Sequence, residues 1–171
     1  GAVTAMVCSG DAGIYGMAGL MYEIGEEYPE VAIEVIPGVT AALGGSAVLG
    51  AAVGHDVSLI SLSDLLTPWE LIEERLLCAA KADFVICLYN PSSRKRSTYL
   101  AKACEIMLEY KAEDTVCGIV KNIAREGETM QTLTLKELKE TTVDMFSTVF
   151  IGNKQTKVIR EKMVTPRGYR I

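Results

Sequence analysis

Apolar residues recur along this chain with two alternating periods, and that alternation predicts an α/β protein throughout. Short β-branched or aliphatic runs read as strands at residues 3–7, 31–36, 57–62, 83–89, 115–120, 129–135 and 147–152. Between several of them the apolar positions return every three or four residues. Residues 17–28 read as a helix with Leu20, Met21 and Ile24 inward and Glu23, Glu26 and Glu27 outward. Residues 97–110 put Leu100, Ala103, Cys104, Met107 and Leu108 on one face. Thr67-Pro68-Trp69-Glu70 predicts a helix start, with Thr67 as N-cap, Pro68 in the first helical position and Glu70 closing a capping box. Trp69, Ile72, Leu76 and Ala80 then share a face. A short helix is expected near residues 136–140, and the stretch after Lys154 reads as a polar, basic tail.

Residues 40–53 read as a helix rich in Ala and Gly. Each glycine lowers helicity by roughly 1 kcal/mol, so their presence predicts a close packing contact. The longest run without formal charge, residues 35–54, is long enough to span a bilayer. Its prolines and glycines, and the lack of basic flanks, instead predict a strand end, a turn and a buried helix. The first residues carry neither the basic region nor the cleavage pattern of a signal peptide. Strand and helix alternate up to residue 56 and for one more pair of units after it, and then strands follow one another. This predicts an N-terminal lobe at 1–56 with a parallel sheet and a C-terminal lobe at 57–171 with a mixed sheet.

Composition narrows the chemistry. The 171 residues are 49% hydrophobic, enough for a real core, and the net charge is -5. No overall basic field favours nucleic acid, so any anionic substrate must meet a local patch. The five cysteines form no C-x-x-C pair and mostly fall inside apolar patterns. They predict small core residues of a reduced, cytoplasmic protein. One histidine argues against a zinc site, and no metal is expected.

Four stretches could carry chemistry. CSGDAGIYGMAG, residues 8–19, is a glycine-rich turn between a strand and a helix. It lacks the lysine of a phosphate loop, and Asp11 would repel phosphate, so a cationic or neutral ligand held by backbone groups fits better than a nucleotide phosphate. The alternative is a plain strand-to-helix turn. PGVTA, residues 37–41, is a second such turn, and ligands bind outside the carboxyl ends of parallel strands. YNPSSRKRS, residues 89–97, sets Arg94, Lys95 and Arg96 beside serines at another strand end, where guanidinium forks suit carboxylates. The alternative is a solvated loop. GHDVSLISLSDLLTPWE, residues 54–70, holds His55, Asp56, Ser61, Ser63 and Asp64, which either line a cleft or make turns.

In this order, SGDAGIYGMAG, PGVTA, HDVSLISLSDLLTPWE and YNPSSRKR resemble the tetrapyrrole methylase family over essentially the whole chain. The last two blocks resemble its branch acting at C17 of precorrin-3B or cobalt-factor III in cobalamin biosynthesis. The resemblance implies a two-lobed α/β fold with S-adenosylmethionine in the cleft, released as S-adenosylhomocysteine, a tetrapyrrole substrate and a homodimer. It implies no nucleic acid or membrane partner. By resemblance, Ser9, Gly10, Asp11, Ile14, Thr40 and Ala41 line the cofactor, joined by Tyr89, Asn90, Asn122, Gly152 and Asn153. Arg94, Arg96 and Ser61 hold the substrate. His55, Asp56, Ser63 and Asp64 are candidate acids or bases for the ring contraction that accompanies methylation. Family members open with a G-x-G-P-G loop ahead of the SGD strand, whereas this sequence begins almost at SGD, so an incomplete first lobe is expected. Two other readings remain: a related methylase with another substrate, and a non-catalytic tetrapyrrole-binding lobe of a larger assembly.

Overall fold

The computed structural model describes residues 2–169. Along the chain run α1 (Ala18–Gly25), α2 (Ala41–Leu49), β1 (Gly50–Ala51), β2 (Val57–Ser61), α3 (Trp69–Lys81), β3 (Val85–Tyr89) and α4 (Tyr99–Leu108). Then follow β4 (Val116–Lys121), β5 (Thr129–Thr134), α5 (Leu135–Lys139), β6 (Ser147–Ile151), β7 (Lys157–Ile159) and β8 (Lys162–Val164). The chain divides into two compact units, the first ending at Ala41 and the second starting at Ala42. That division falls ahead of the change of pattern near Gly54.

The second unit is built on a five-stranded mixed sheet ordered β2-β3-β6-β4-β5. β2 and β3 run parallel, and β6 pairs antiparallel with both β3 and β4. Every residue of β6 is buried, as are Val85 to Leu88 of β3. Such strands read as continuous apolar runs because both faces of the sheet are covered. Successive side chains serve opposite cores. Ile86, Leu88, Val149 and Ile151 join one cluster with Ile72, Leu76, Cys104, Met107, Leu135 and Leu138 from the three helices α3, α4 and α5. Cys87, Phe150 and Val120 join the other, with Ala42 and Leu49 of α2 and Met163 of β8.

The glycine-rich helix α2 shows why its small residues are there. A Cβ on Gly45 would lie 2.7 Å from Cζ of Phe150, which is fully buried. On the sheet side, a Cβ on Gly118 of β4 would lie 2.6 Å from Cδ1 of Leu49. The helix ends where Gly50 adopts φ 128°, and the chain passes directly into β1.

Several expectations are corrected. Residues 3–7 and 31–36 form no ladder, so the expected parallel sheet of the first lobe is absent among the described residues. A strand exists only through a hydrogen-bonded neighbour, and neither stretch has one; Val3 and Val7 are almost wholly exposed. α1 forms, but Leu20 and Ile24 face outward. The helix start at 67–70 has Pro68, with ψ 143°, as its N-cap and no side-chain cap. Extended backbone at Pro68 keeps Thr67 outside the helix. A capping box occurs instead at Thr134 and Glu137, opening α5. The tail after Lys154 is not loose: β7 and β8 form a hairpin, and β8 pairs in parallel with β1.

Replacing Gly45 by alanine raises intrinsic helicity by about 1 kcal/mol but overpacks a dry contact, at about 1–3 kcal/mol. The expected outcome is net destabilisation, read as a lower urea midpoint with an unchanged slope. A raised midpoint would show that Phe150 yields freely.

Candidate functional site

In the first unit the two glycine turns are joined by one carboxylate. Asp11 Oδ1 accepts the N–H of Gly13 at 2.8 Å and of Ile14 at 3.1 Å. Its Oδ2 accepts the N–H of Gly38 at 2.9 Å, from the second turn. The backbones then meet so closely that a Cβ on Gly38 would lie 2.0 Å from the Gly10 carbonyl oxygen. Gly10 itself has φ 81°, a conformation that other residues rarely adopt. The Gly38 and Gly13 N–H groups hold the Asp11 carboxyl below its ordinary value of 3.8. Ser9, Gly10 and Ile14 are exposed, whereas Thr40 is buried. Residues 1–41 contain no Lys, Arg or His, while acidic residues recur. This unit therefore offers an anion no cationic side chain, and a cation a favourable field.

In the second unit the antiparallel insertion of β6 sorts the remaining candidates onto two opposite edges of the sheet. The carboxyl ends of β2 and β3 lie beside the end of β4 and the start of β6, since Ser61 pairs with Tyr89 and Lys121 with Ser147. That edge carries Ser61, Ser63, Asp64, Tyr89, Asn90, Arg94, Arg96 and Asn122. Tyr89 Oη accepts the N–H of Ala42 at 2.8 Å, satisfying a donor in the first turn of α2. Asn90 and Asn122 have φ 51° and 53°, so each turns the chain sharply at a strand end. Asn122 donates from Nδ2 to the Gly127 carbonyl at 3.3 Å, and Ile123 packs on the core beneath.

The loops after β2 and β3 are cross-linked. Asn90 Nδ2 donates to Ser61 Oγ at 2.9 Å, and Arg96 Nη1 donates to Ser63 Oγ at 3.0 Å and to Asp64 Oδ1 at 3.5 Å. The Tyr99 hydroxyl donates to Asp64 Oδ2 at 2.7 Å. The Tyr99 hydroxyl is the largest influence holding Asp64 below its ordinary value, while Asp64 in turn pushes the Tyr99 phenol up. The Arg96 side chain is only 14% exposed, and its Nε is buried without a partner among the described residues. Arg96 is thus committed to the protein, contrary to its expected place on a substrate. Arg94 and Lys95 are exposed and carry no such bond among the described residues. Tyr99, whose ring lies 4.3 Å from that of Trp69, was not singled out by sequence as a partner of Asp64. Tyr99 lies 35 residues from Asp64, and no local pattern signals the pairing.

The opposite edge carries His55, Asp56, Gly152 and Asn153, apart from the others. Val85 donates its N–H to the Asp56 carbonyl, and Gly152 to the Val116 carbonyl, at the far ends of their strands. His55 Nδ1 accepts the neighbouring Asp56 N–H at 2.8 Å and lies 3.3 Å from Asp56 Oδ2, and both residues are exposed. Asn153 and Gly152 are built into the structure: Asn153 Oδ1 accepts from Thr156 Oγ1 and Gln155 N, and Gly152 carbonyl accepts from Lys111 Nζ at 2.9 Å. Buried Lys111 also donates to Asp83 and to the Phe84 carbonyl, and burial pushes its amine down while Asp83 opposes the shift. These bonds tie Gly152, Asn153 and Lys111 into the fold. No helix among the described residues is long and apolar enough to cross a membrane.

Residues 1–139 match the family model described as Tetrapyrrole (Corrin/Porphyrin) Methylases. The chain is 48% identical over 166 residues to a Salmonella typhimurium protein named "Probable cobalt-factor III C(17)-methyltransferase", covering 96% of this chain and 69% of that one. It is 45% identical over 174 residues to the Priestia megaterium "Cobalt-factor III methyltransferase", covering 99% of this chain but only 32% of that protein. Among solved structures it resembles the methyltransferase CobJ, with a TM-score of 0.85 and 33% identity over 94% of this chain and 68% of that one.

Because the Asp11 carboxyl is depressed in the folded chain, the order it gives the turns is complete above pH 3.8 and is lost as pH falls through the lowered value. Amide shifts of Gly13 and Gly38 should therefore stay constant from neutral pH to about 4 and move together below it. In Asp11→Asn, which cannot accept through both side-chain atoms, both amides should already be displaced at neutral pH.

Proposed function

The chain belongs to the tetrapyrrole (corrin/porphyrin) methylase family, and from that premise we propose that it acts in the S-adenosylmethionine-dependent methylation of C17 of cobalt-factor III or precorrin-3B, with ring contraction, in cobalamin biosynthesis. The observation that carries this reading is the pair of glycine turns locked by Asp11 in a unit without a single basic residue. A nucleoside with a sulfonium cation suits such a cradle, and a polyphosphate does not. In this unit Ser9, Gly10, Asp11, Ile14, Thr40 and Ala41 would hold the cofactor. S-adenosylmethionine, when bound, supplies an electrophilic methyl group and leaves as a neutral thioether.

Such a leaving group needs little acid–base help, so the protein's work is alignment of the attacking ring carbon and exclusion of water. Arg94 holds peripheral carboxylates of the macrocycle, whereas Arg96 fixes the loop beside it. Asp64 stays ionised at neutral pH, so a proton it handles in the ring contraction is one it accepts. The five free cysteines support a reducing, cytoplasmic setting, and the family resemblance is the support for a homodimer.

Titration of the chain with S-adenosylhomocysteine in a calorimeter tests the reading: saturable binding is expected, and its absence overturns the proposal. In Gly38→Ala the new methyl collides with the Gly10 carbonyl and parts the two turns. Affinity should fall at least about tenfold, equivalent to about 1.4 kcal/mol, while urea unfolding followed at Trp69 in the second unit stays unchanged.

A further inference from the structure

Between Asp64 and Trp69 the loop after β2 is pinned at both ends, by Tyr99 and Arg96 on Asp64 and by the Trp69–Tyr99 ring contact. Ahead of the first pin, Leu62 is fully buried. Yet the two residues between the pins, Leu65 and Leu66, are 80% and 98% exposed. Two leucines on an anchored loop forgo the burial that ordinarily stabilises such side chains. A loop free to fold back could hide them; this one is tied in place. The neighbouring loop, cross-linked to it through Ser61, Ser63 and Asp64, ends in the exposed cations Arg94 and Lys95. An apolar tip and a cationic tip thus stand side by side at the edge of the sheet that carries the candidate site.

We propose that Leu65–Leu66 and Arg94–Lys95 form a two-part rim for the tetrapyrrole, the leucines against the flat apolar face of the ring and the cations on its peripheral carboxylates. This rests on the methylase reading above and names the part of the site that selects the substrate. The chemistry favours a macrocycle over a protein surface, because the two leucines are bordered by exposed cations, without an ion pair among the described residues, in an otherwise acidic chain. In this arrangement Arg96 and Tyr99 are positioning residues, which hold both tips through their bonds to Ser63 and Asp64.

The test uses a polycarboxylate porphyrin, uroporphyrin, as probe, read by calorimetry and by quenching of Trp69, the single tryptophan, which borders the loop. Leu65→Ser with Leu66→Ser should weaken uroporphyrin about tenfold, to the same extent at low and high salt. Arg94→Gln with Lys95→Gln should weaken it comparably at low salt, with the loss fading as salt screens the carboxylates. Both pairs are exposed, and affinity for S-adenosylhomocysteine should be unchanged in each. Uroporphyrin binding that ignores the leucine pair overturns the rim, and so does a leucine variant whose only change is in oligomeric state by sedimentation. Wild-type binding of S-adenosylhomocysteine without uroporphyrin overturns the rim and leaves the methylase reading standing, whereas failure to bind either overturns both.

Discussion

The second unit depends on the dryness of β3 and β6. Both strands lie in the interior of the sheet and are covered on both faces, so their central residues, Ile86 to Leu88 and Val149 to Ile151, are apolar and each fits one of two cores. Interiors are packed near crystal density, and a face that receives a helix at close range has no room to spare. The helix α2 reaches Phe150 only because Gly45 has no side chain, and Leu49 reaches the sheet only because β4 offers Gly118. The glycines weaken the helix as an isolated element and are the condition for its docking.

The same sheet decides where chemistry can sit. Inserting β6 antiparallel between β3 and β4 brings the ends of β2, β3 and β4 to one edge and leaves the starts of β2 and β3 at the other. One edge gathers loops whose polar groups are joined to one another and whose tips remain exposed. The other is closed by a buried lysine with three acceptors and by the hydrogen bonds that join the Asn153 amide to the hydroxyls of Thr156 and Thr165. A buried cation persists only when its protons are all taken up, and Lys111 meets that condition with one carboxylate and two carbonyls.

Two carboxylates organise the two candidate regions by different means. Asp11 is held by backbone N–H groups, so its task depends on glycine turns that let the backbone approach. Asp64 is held by a phenol and a guanidinium from residues distant in sequence, so its task depends on the sheet having aligned two loops. Both are stabilised in the charged form, and each acts as an internal tie.

The strand and helix pattern from residue 57 to 151 was legible in the sequence because local periodicity and burial agree there: the VSLISL and FVICLY runs, and the helical faces of Ile72 and Leu76 and of Leu100 and Met107, lie where the pattern put them. The glycine-rich turns and the absence of a phosphate-binding lysine were equally plain. The β7–β8 hairpin was not, because its turn uses Arg160 and Glu161 with φ 49° and 64°, and those residues give none of the Asn-Gly signal of such turns. Runs 3–7 and 31–36 carry strand-like residues without a ladder, since pairing is a property of neighbours and not of the run itself. Which arginine is free and which is locked could not be read from Arg94-Lys95-Arg96, where the two have the same chemistry. Residue type and spacing, which are local, determined the strands and helices between residues 57 and 151 and the two glycine turns. Only tertiary structure, through strand direction, assigned each strand end to an edge and each charge to a partner.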